Sequence, residues 1–242
     1  MSHFYDLQGN PAYTQPNKSK GGERPTTLAD AKKLKLVPSV TTIIDTLSKP
    51  GLDVWKMNQV FIALQTSEPQ NKNESNEAFK SRILRKSNAI SEESAKRGNE
   101  IHNKLEAVYT VGVNLNDPDN ITIQAAIQQI QSLGKEEFVP EKSFAFEGFG
   151  GKVDLHSSTI VLDYKTKNTD DFNKQLAYPA HAMQLAAYRI GLALPAAKCY
   201  NLFISTVQPG LVQLHEWKEE EIKKAEKMFL CLRDFWNLSN NM

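Results

Sequence analysis

Between residues 151 and 165 the sequence alternates apolar and polar side chains in two short runs, and this pattern constrains the fold more than any other feature. The first run is Gly-Lys-Val-Asp-Leu-His and the second is Ile-Val-Leu-Asp-Tyr-Lys. A period of two is typical of β-strands, because successive side chains point to opposite faces. Two such runs separated by three residues predict an antiparallel hairpin at the centre of a sheet.

The expected register of this hairpin brings two acidic residues together. A turn centred on 158–159 places Asp154 directly opposite Asp163 and aligns the apolar residues of the two runs on the other face. Like charges directly opposite each other destabilise a strand pair, so the pairing indicates a cation between the carboxylates. Mg²⁺ is the natural candidate, since it prefers hard oxygen ligands and keeps several waters.

Lys165 follows Asp163 by two residues and shares its face of the strand. An ammonium group there can orient a metal-bound water, help it lose a proton and offset the charge that develops on phosphorus during phosphodiester hydrolysis. A surface hairpin with solvated charges is the alternative, and an isolated Asp-x-Lys tripeptide favours it. The matching phase of Asp154, three residues after Gly151, supports the catalytic interpretation.

The remaining segments predict an α/β fold with one central mixed sheet flanked by helices and preceded by a helical N-terminal region. Strands are expected at 142–146, 151–156, 160–165, 200–206 and 211–217. Helices are expected at 51–64, 76–85, 91–108, 121–133, 181–194 and 219–238, and a loop at 16–35. We divide the chain into residues 1–90, an extension and helical wall of the same domain, and residues 91–242, the core.

Three further patterns place polar residues near the hairpin. Gly98 and His102 are four residues apart on one helix face, and Gln184 and Tyr188 repeat this spacing on a later helix. Glu141 begins the first predicted strand, directly after a proline. Taken singly, each pattern is more typical of packing or of a solvated surface than of a functional site.

Composition excludes some classes of protein. The net charge is only +1, so binding of nucleic acid must depend on a local patch rather than on bulk charge. Two cysteines, Cys199 and Cys231, cannot supply the four ligands of an iron–sulfur cluster. No secretory leader and no membrane-spanning stretch are expected, and a reducing cytoplasm is the expected compartment.

Taken in order, these residues resemble the motifs of the RecB-like branch of the PD-(D/E)XK nuclease superfamily. The motifs are Gly98-x-x-x-His102, Glu141 with Gly151-x-x-Asp154, Asp163-Tyr164-Lys165 and Gln184-x-x-x-Tyr188. The segment 38–43, with Trp55 downstream, resembles the start of phage-type exonucleases in this group. The mitochondrial genome maintenance exonucleases are similar in architecture.

The resemblance implies a restriction-endonuclease-like core and assigns a role to each motif. Metal ligation would come from His102, Asp154, Asp163 and the carbonyl group of Tyr164. The catalytic group would be Lys165, Asp163, Asp154 and Glu141, with Gln184, Tyr188 and Gly98 supporting the site or the substrate.

The same resemblance implies a substrate and a reaction. The expected activity is a Mg²⁺- or Mn²⁺-dependent deoxyribonuclease, an exonuclease on single-stranded DNA or duplex ends in replication, recombination or repair, without an iron–sulfur cluster. The alternatives are a catalytically inactive nucleic-acid-binding module with the same fold and a nuclease that acts on RNA.

Overall fold

The computed structural model describes residues 2–17, 21–48, 50–116, 120–174 and 176–242, and its centre is a mixed five-stranded sheet. Two short strand pairs precede the sheet: β1 (Phe4–Tyr5) with β4 (Val37–Pro38), and β2 (Thr14–Pro16) with β3 (Glu23–Pro25). The central strands are β5 (Val139–Phe146), β6 (Phe149–His156), β7 (Ile160–Lys167), β8 (Lys198–Ser205) and β9 (Val212–Trp217). The α/β class expected from the sequence is confirmed.

Helices precede, interrupt and follow the sheet. They are α1 (Leu28–Leu34), α2 (Val40–Ile44), α3 (Pro50–Gln65), α4 (Asn76–Thr110), α5 (Ile121–Gln131), α6 (Pro179–Gly191) and α7 (Glu219–Asn240). None of the described helices is long and apolar enough to cross a membrane. The helices expected at 76–85 and 91–108 form the single helix α4, because nothing in 86–90 breaks the helical pattern.

The sheet has the order β5-β6-β7-β8-β9 and is parallel only between β7 and β8. The predicted register of the β6–β7 hairpin is confirmed, with Leu155 opposite Leu162 and His156 opposite Val161. The turn is closed by the N–H of Ser157, which donates to the carbonyl oxygen of Ile160 at 2.9 Å. The ladder has only these two pairs, so Asp154 and Asp163 do not form the direct pair expected from alternation.

The core lies on both faces of the inner strands. Leu155, Leu162 and Leu202 are fully buried, and each such side chain contributes about 1.5–3 kcal/mol when it leaves water. Helix α6 has an unbroken run of buried residues from 182 to 189, so it is packed on more than one side. It is therefore a rigid element from which side chains can be positioned against the sheet.

The chain forms two compact units. One comprises Met1–Thr46 and His102–Met242 and contains the five-stranded sheet; the other is Leu47–Ile101, with α3 and the first part of α4. The sequence analysis divided the chain at residue 90, whereas the compact units meet near residues 46 and 101. Met1–Thr46 belong to the same unit as the sheet.

The prediction of a loop at 16–35 is wrong for the residues of this segment that the structure describes. It contains β3 and α1, while residues 18–20 lie outside the described residues. Helix α1 begins with a capping box in which the side chains of Thr27 and Asp30 each accept the other residue's backbone N–H. Arg24 holds Asp30 from outside the helix, with a 2.6 Å contact. The Thr-x-x-Asp pattern of residues 27–30 indicates the start of this helix. The neighbouring basic and turn-forming residues favoured a loop instead.

Candidate active site

A line of polar residues crosses the five strands at one level of the sheet, and we call it the polar row: Glu141, Asp154, Asp163, Asn201 and His215. The β5–β6 pairs on either side place Glu141 beside Asp154. Asp163 pairs with Asn201, and Asn201 pairs with His215. The row thus joins the two predicted carboxylates to residues from the outer strands.

The middle of the row is a strand fork, where β6 and β7 separate after the pair of Leu155 and Leu162. The N–H of Tyr164 donates to the Oδ2 atom of Asp154 at 2.7 Å. In a continuous ladder, a main-chain carbonyl group of β6 would accept this hydrogen bond; here the Asp154 carboxylate accepts it instead. This bond fixes the Asp154 side chain inside the fork.

Asp163 is almost completely buried, at 2% exposure, and accepts hydrogen bonds from three directions. Its Oδ1 atom accepts from Nε2 of Gln184 on α6 at 2.9 Å. Its Oδ2 atom accepts from Nδ2 of Asn201 on β8 at 2.9 Å and lies 2.6 Å from Nζ of Lys165. Donors from two strands and a helix thus hold this carboxylate in one orientation.

The surroundings of Asp163 shift its protonation equilibrium. Burial raises the pKa of Asp163 to about 6; the ammonium group of Lys165 opposes this rise, and the charge of Asp154 adds to it. Withdrawal of the carboxylate from water is therefore the main reason that its charged form is disfavoured. Such a site favours either a proton or an additional cation.

His102, on α4, lies at the edge of the fork. Its Nδ1 atom is 3.7 Å from Oδ1 of Asp154, and its ring meets the Tyr164 ring edge-on at 5.5 Å between centroids. Burial disfavours the charged imidazole, but Asp154 and Asp163 outweigh this effect and raise the pKa of His102. The hydroxyl group of Tyr164 is buried without a hydrogen-bond partner among the described residues.

Gln184 connects the lysine, the carboxylate and α6. Its Oε1 atom accepts from Nζ of Lys165 at 3.0 Å, while its Nε2 atom donates to Asp163 and to the hydroxyl of Tyr188 at 2.7 Å. The Tyr188 ring packs on Gly151 of β6, where an added Cβ would lie 2.9 Å from Cε1 of that ring. Glycine is therefore required here for α6 to approach the strand so closely.

The other two expected residues are placed as follows. Glu141 has a left-handed φ of 53°, at the position of β5 where the β5–β6 ladder lacks a pair, and its carboxylate forms an ion pair with Lys152. Burial raises the pKa of Glu141, Lys152 opposes the rise and Asp154 adds to it. Gly98 is a buried residue of α4, four positions before His102, and belongs to the Leu47–Ile101 unit.

The donor set matches a hard divalent cation in its chemistry. Two carboxylates and an imidazole lie at the fork, and burial raises the pKa of Asp163, so this carboxylate gains from a bound proton or cation. Within the described residues, no three His, Cys, Asp or Glu side chains form a ready metal-binding group. The ammonium group of Lys165 already lies 2.6 Å from Oδ2 of Asp163, so a cation held by Asp154 and Asp163 would share the charge of Asp163 with this lysine.

Sequence reasoning missed Asn201 and Trp217. Asn201 is fully buried and donates to Asp163, and its Oδ1 atom accepts from Nε1 of Trp217 at 2.8 Å. A single amide within the apolar run Cys-Tyr-Asn-Leu-Phe-Ile was the available signal, because a buried amide needs partners. The identity of that partner depends on the parallel β7–β8 register, which no local pattern encodes.

Comparison with known proteins does not assign a family. No protein-family model and no curated protein sequence matches the chain. Among solved structures, the chain is similar to the one described as the crystal structure of SSO0001, with 18% sequence identity and a TM-score of 0.32. That match covers 73% of this chain and 85% of the other. Similarity at this level supports no conclusion about fold family or function, which must therefore be argued from the site.

Proposed function

We propose that the chain is a Mg²⁺- or Mn²⁺-dependent DNA nuclease that acts as an exonuclease on single strands or duplex ends. The observation that supports this most strongly is the 2.6 Å contact between Lys165 and the buried Asp163, beside Asp154 at the strand fork. Two carboxylates and one fixed ammonium group are the components that metal-assisted hydrolysis of a phosphodiester requires.

In this proposal the groups at the fork have separate roles. Asp154 and Asp163 would hold the cation, with His102 and the Tyr164 carbonyl group as further donors. When bound, the cation would lower the pKa of its water and polarise the phosphate. Lys165, released from Asp163 but retained by Gln184, would orient the attacking water and stabilise negative charge on the phosphorane.

Glu141 and Tyr188 would act through their neighbours. Glu141 lies beside Asp154 and adds negative charge to that side of the row. Tyr188 holds Gln184, and Gln184 in turn holds both Lys165 and Asp163. We therefore assign Gln184 and Tyr188 as positioning residues.

One observation favours a second candidate, a catalytically inactive nucleic-acid-binding module. Both carboxylate oxygens of Asp163 accept from protein donors, and Lys165 compensates part of the negative charge. A carboxylate in such surroundings can serve stability alone. The two candidates differ in whether Mg²⁺ stabilises the protein and whether phosphodiester bonds are cut.

The decisive experiment is digestion of end-labelled linear and circular DNA, single- and double-stranded, with Mg²⁺, Mn²⁺ or EDTA, alongside matched RNA. Lys165→Ala tests the site, and Lys198→Ala is the matched control, because Lys198 forms an exposed ion pair with Glu216 on the neighbouring strands. We expect metal-dependent products from linear DNA with the wild type and the control but not with Lys165→Ala.

Other outcomes would change the assignment. Cleavage of circles would make the protein an endonuclease, and preferential loss of RNA would identify a ribonuclease. Activity that survives in Lys165→Ala would show that a contaminant or another site is responsible. Binding without cleavage under every condition would favour the inactive module.

A further inference from the structure

A pocket of about 540 Å³ lies beside β9, and we call it the β9 pocket. Its lining includes Phe172, Asn173, Phe203, Gln213, His215 and Trp217. The volume lies within the range of small-molecule sites, which typically combine aromatic walls with a few polar groups. The chemistry proposed for Asp163 and Lys165 does not use this pocket.

Aromatic rings form much of its wall. The His215 ring meets Trp217 edge-on at 4.6 Å and Phe203 at 6.4 Å between centroids. Phe172 contributes a fourth ring from the segment between β7 and α6. Successive bases of single-stranded nucleic acids stack on rings of this kind, and stacking tolerates any base because each has a π-face.

The polar atoms of the pocket are suited to the edge of a base. His215 lines the pocket, and its Nε2 atom is buried without a hydrogen-bond partner among the described residues, so a ligand that reached this atom would relieve the cost of an unsatisfied polar group. Asn173 and Gln213 add amides that can both donate and accept. The Glu221 carboxylate, also at the pocket, already accepts from the N–H of Lys218 at 2.9 Å.

The pocket adjoins the candidate active site through the polar row. Nε1 of Trp217 donates to Asn201, and Asn201 donates to Oδ2 of Asp163. His215 is two strands from Asp163, which corresponds to roughly 10 Å at the usual strand spacing. A nucleotide near the reacting phosphate could therefore place its base in the pocket.

From this arrangement we infer that the β9 pocket binds one unpaired nucleobase of the nucleic acid whose backbone lies at Asp163. The inference rests on the proposed function and specifies its substrate: a strand with at least one unstacked base near the cleaved bond. The partly exposed rings of Phe172 and Trp217 supply the stacking surfaces, and His215 with the two amides contacts the edge of the base.

The test is an abasic scan in EDTA, which prevents cleavage. A short single-stranded oligodeoxynucleotide carries one abasic position at a time, and its binding is followed by fluorescence anisotropy. We expect one position to weaken binding to the wild type by on the order of 5- to 100-fold. This position effect should disappear in His215→Ala and Phe172→Ala. It should persist in Phe235→Ala, which removes an exposed ring from α7.

A second arm tests the pocket without a strand. Deoxyadenosine monophosphate is added while tryptophan emission is recorded in the wild type and in Trp217→Phe, and only the wild type should respond. If DNA is cut but the abasic scan is flat, or the position effect persists in His215→Ala and Phe172→Ala, the pocket assignment is wrong and the nuclease proposal stands. If no DNA is bound or cut but the monophosphate quenches Trp217, base recognition stands and the nuclease proposal fails. If no DNA is bound or cut and the monophosphate gives no response, both proposals are overturned.

Discussion

The backbone N–H of Tyr164 donates a 2.7 Å hydrogen bond to the Oδ2 atom of Asp154, at the point where β6 and β7 separate. The same carboxylate lies 3.7 Å from His102 through its other oxygen. Asp154 therefore has a structural role at the fork in addition to its proposed role as a ligand, and substitutions can separate the two.

Asp154→Asn and Asp154→Ala should differ in stability but not in activity. Asparagine keeps one carbonyl oxygen for the N–H of Tyr164, whereas alanine leaves that donor unpaired, at a cost of about 1–3 kcal/mol. Both variants lose a negative charge of the proposed cation site, so neither should cut DNA. Urea unfolding measures the first effect and strand digestion the second. Equal stability of the two variants would show that water replaces the carboxylate at the fork.

The stability of the wild type should fall with rising pH because of Asp163. Its pKa is raised from an ordinary value of 3.8 to about 6, mainly by burial, so the folded state binds this proton more tightly than the unfolded chain. The resulting stabilisation is complete below the ordinary pKa and is lost as the pH rises through about 6. Thermal melting in EDTA between about pH 4 and pH 7 should show a steeper loss for the wild type than for Asp163→Asn. Parallel curves would mean that Asp163 is ionised throughout that range.

Mg²⁺ should raise the melting temperature of the wild type, and the effect should be larger above pH 6 than below it. A cation competes with the proton on Asp163, and a ligand that binds only the folded state stabilises it more as the ligand concentration rises above its Kd. Asp154→Asn and Asp163→Asn should abolish the shift. Asp53→Asn is the control, since Asp53 is an exposed carboxylate of α3. If Mg²⁺ still raises the melting temperature of both Asp154→Asn and Asp163→Asn, the cation binds at a site other than the fork.

Gly151→Ala should reduce both stability and cleavage. The added methyl would lie 2.9 Å from the Tyr188 ring and 3.0 Å from the Phe144 ring, and overpacking of this kind typically costs about 1–3 kcal/mol. A displaced Tyr188 would no longer hold Gln184, so Lys165 and Asp163 would lose their shared partner. Gly51→Ala is the matched control, because no atom lies within 4 Å of its added methyl. Calorimetry and digestion of the two variants give the comparison, and equal behaviour would rule out close packing at Gly151 as a requirement.

Local patterns predicted the elements of the sheet well. The alternation in 151–165 predicted the hairpin and its register, because a slip of one residue would have exposed Leu155 and Leu162. The four-residue spacing of Gln184 and Tyr188 predicted that both point the same way, and their side chains are hydrogen-bonded to each other. These relationships span few residues, so sequence spacing determines them.

Relationships between distant segments were not predictable. The end of the ladder after Leu155 depends on the Asp154 side chain taking a main-chain role, which alternation does not reveal. Asn201 reaches Asp163 across 38 positions of sequence through a parallel pairing with a helix between the strands. The left-handed backbone of Glu141 is likewise a tertiary feature, since nothing in its neighbours requires it.

The strand fork also has a mechanical consequence. Beyond the pair of Leu155 and Leu162, the sheet consists of two ribbons, β5–β6 and β7–β8–β9, which are joined there by the side chain of Asp154 rather than by a ladder. Asp154 belongs to one ribbon and Asp163 to the other. A small rotation of one ribbon relative to the other about the turn near Ser157 would change the distance between the two carboxylates and leave the hydrogen bonds within each ribbon intact. The Tyr164–Asp154 hydrogen bond is the contact that such a rotation would break, so the exchange rate of the Tyr164 amide proton would measure how often it occurs.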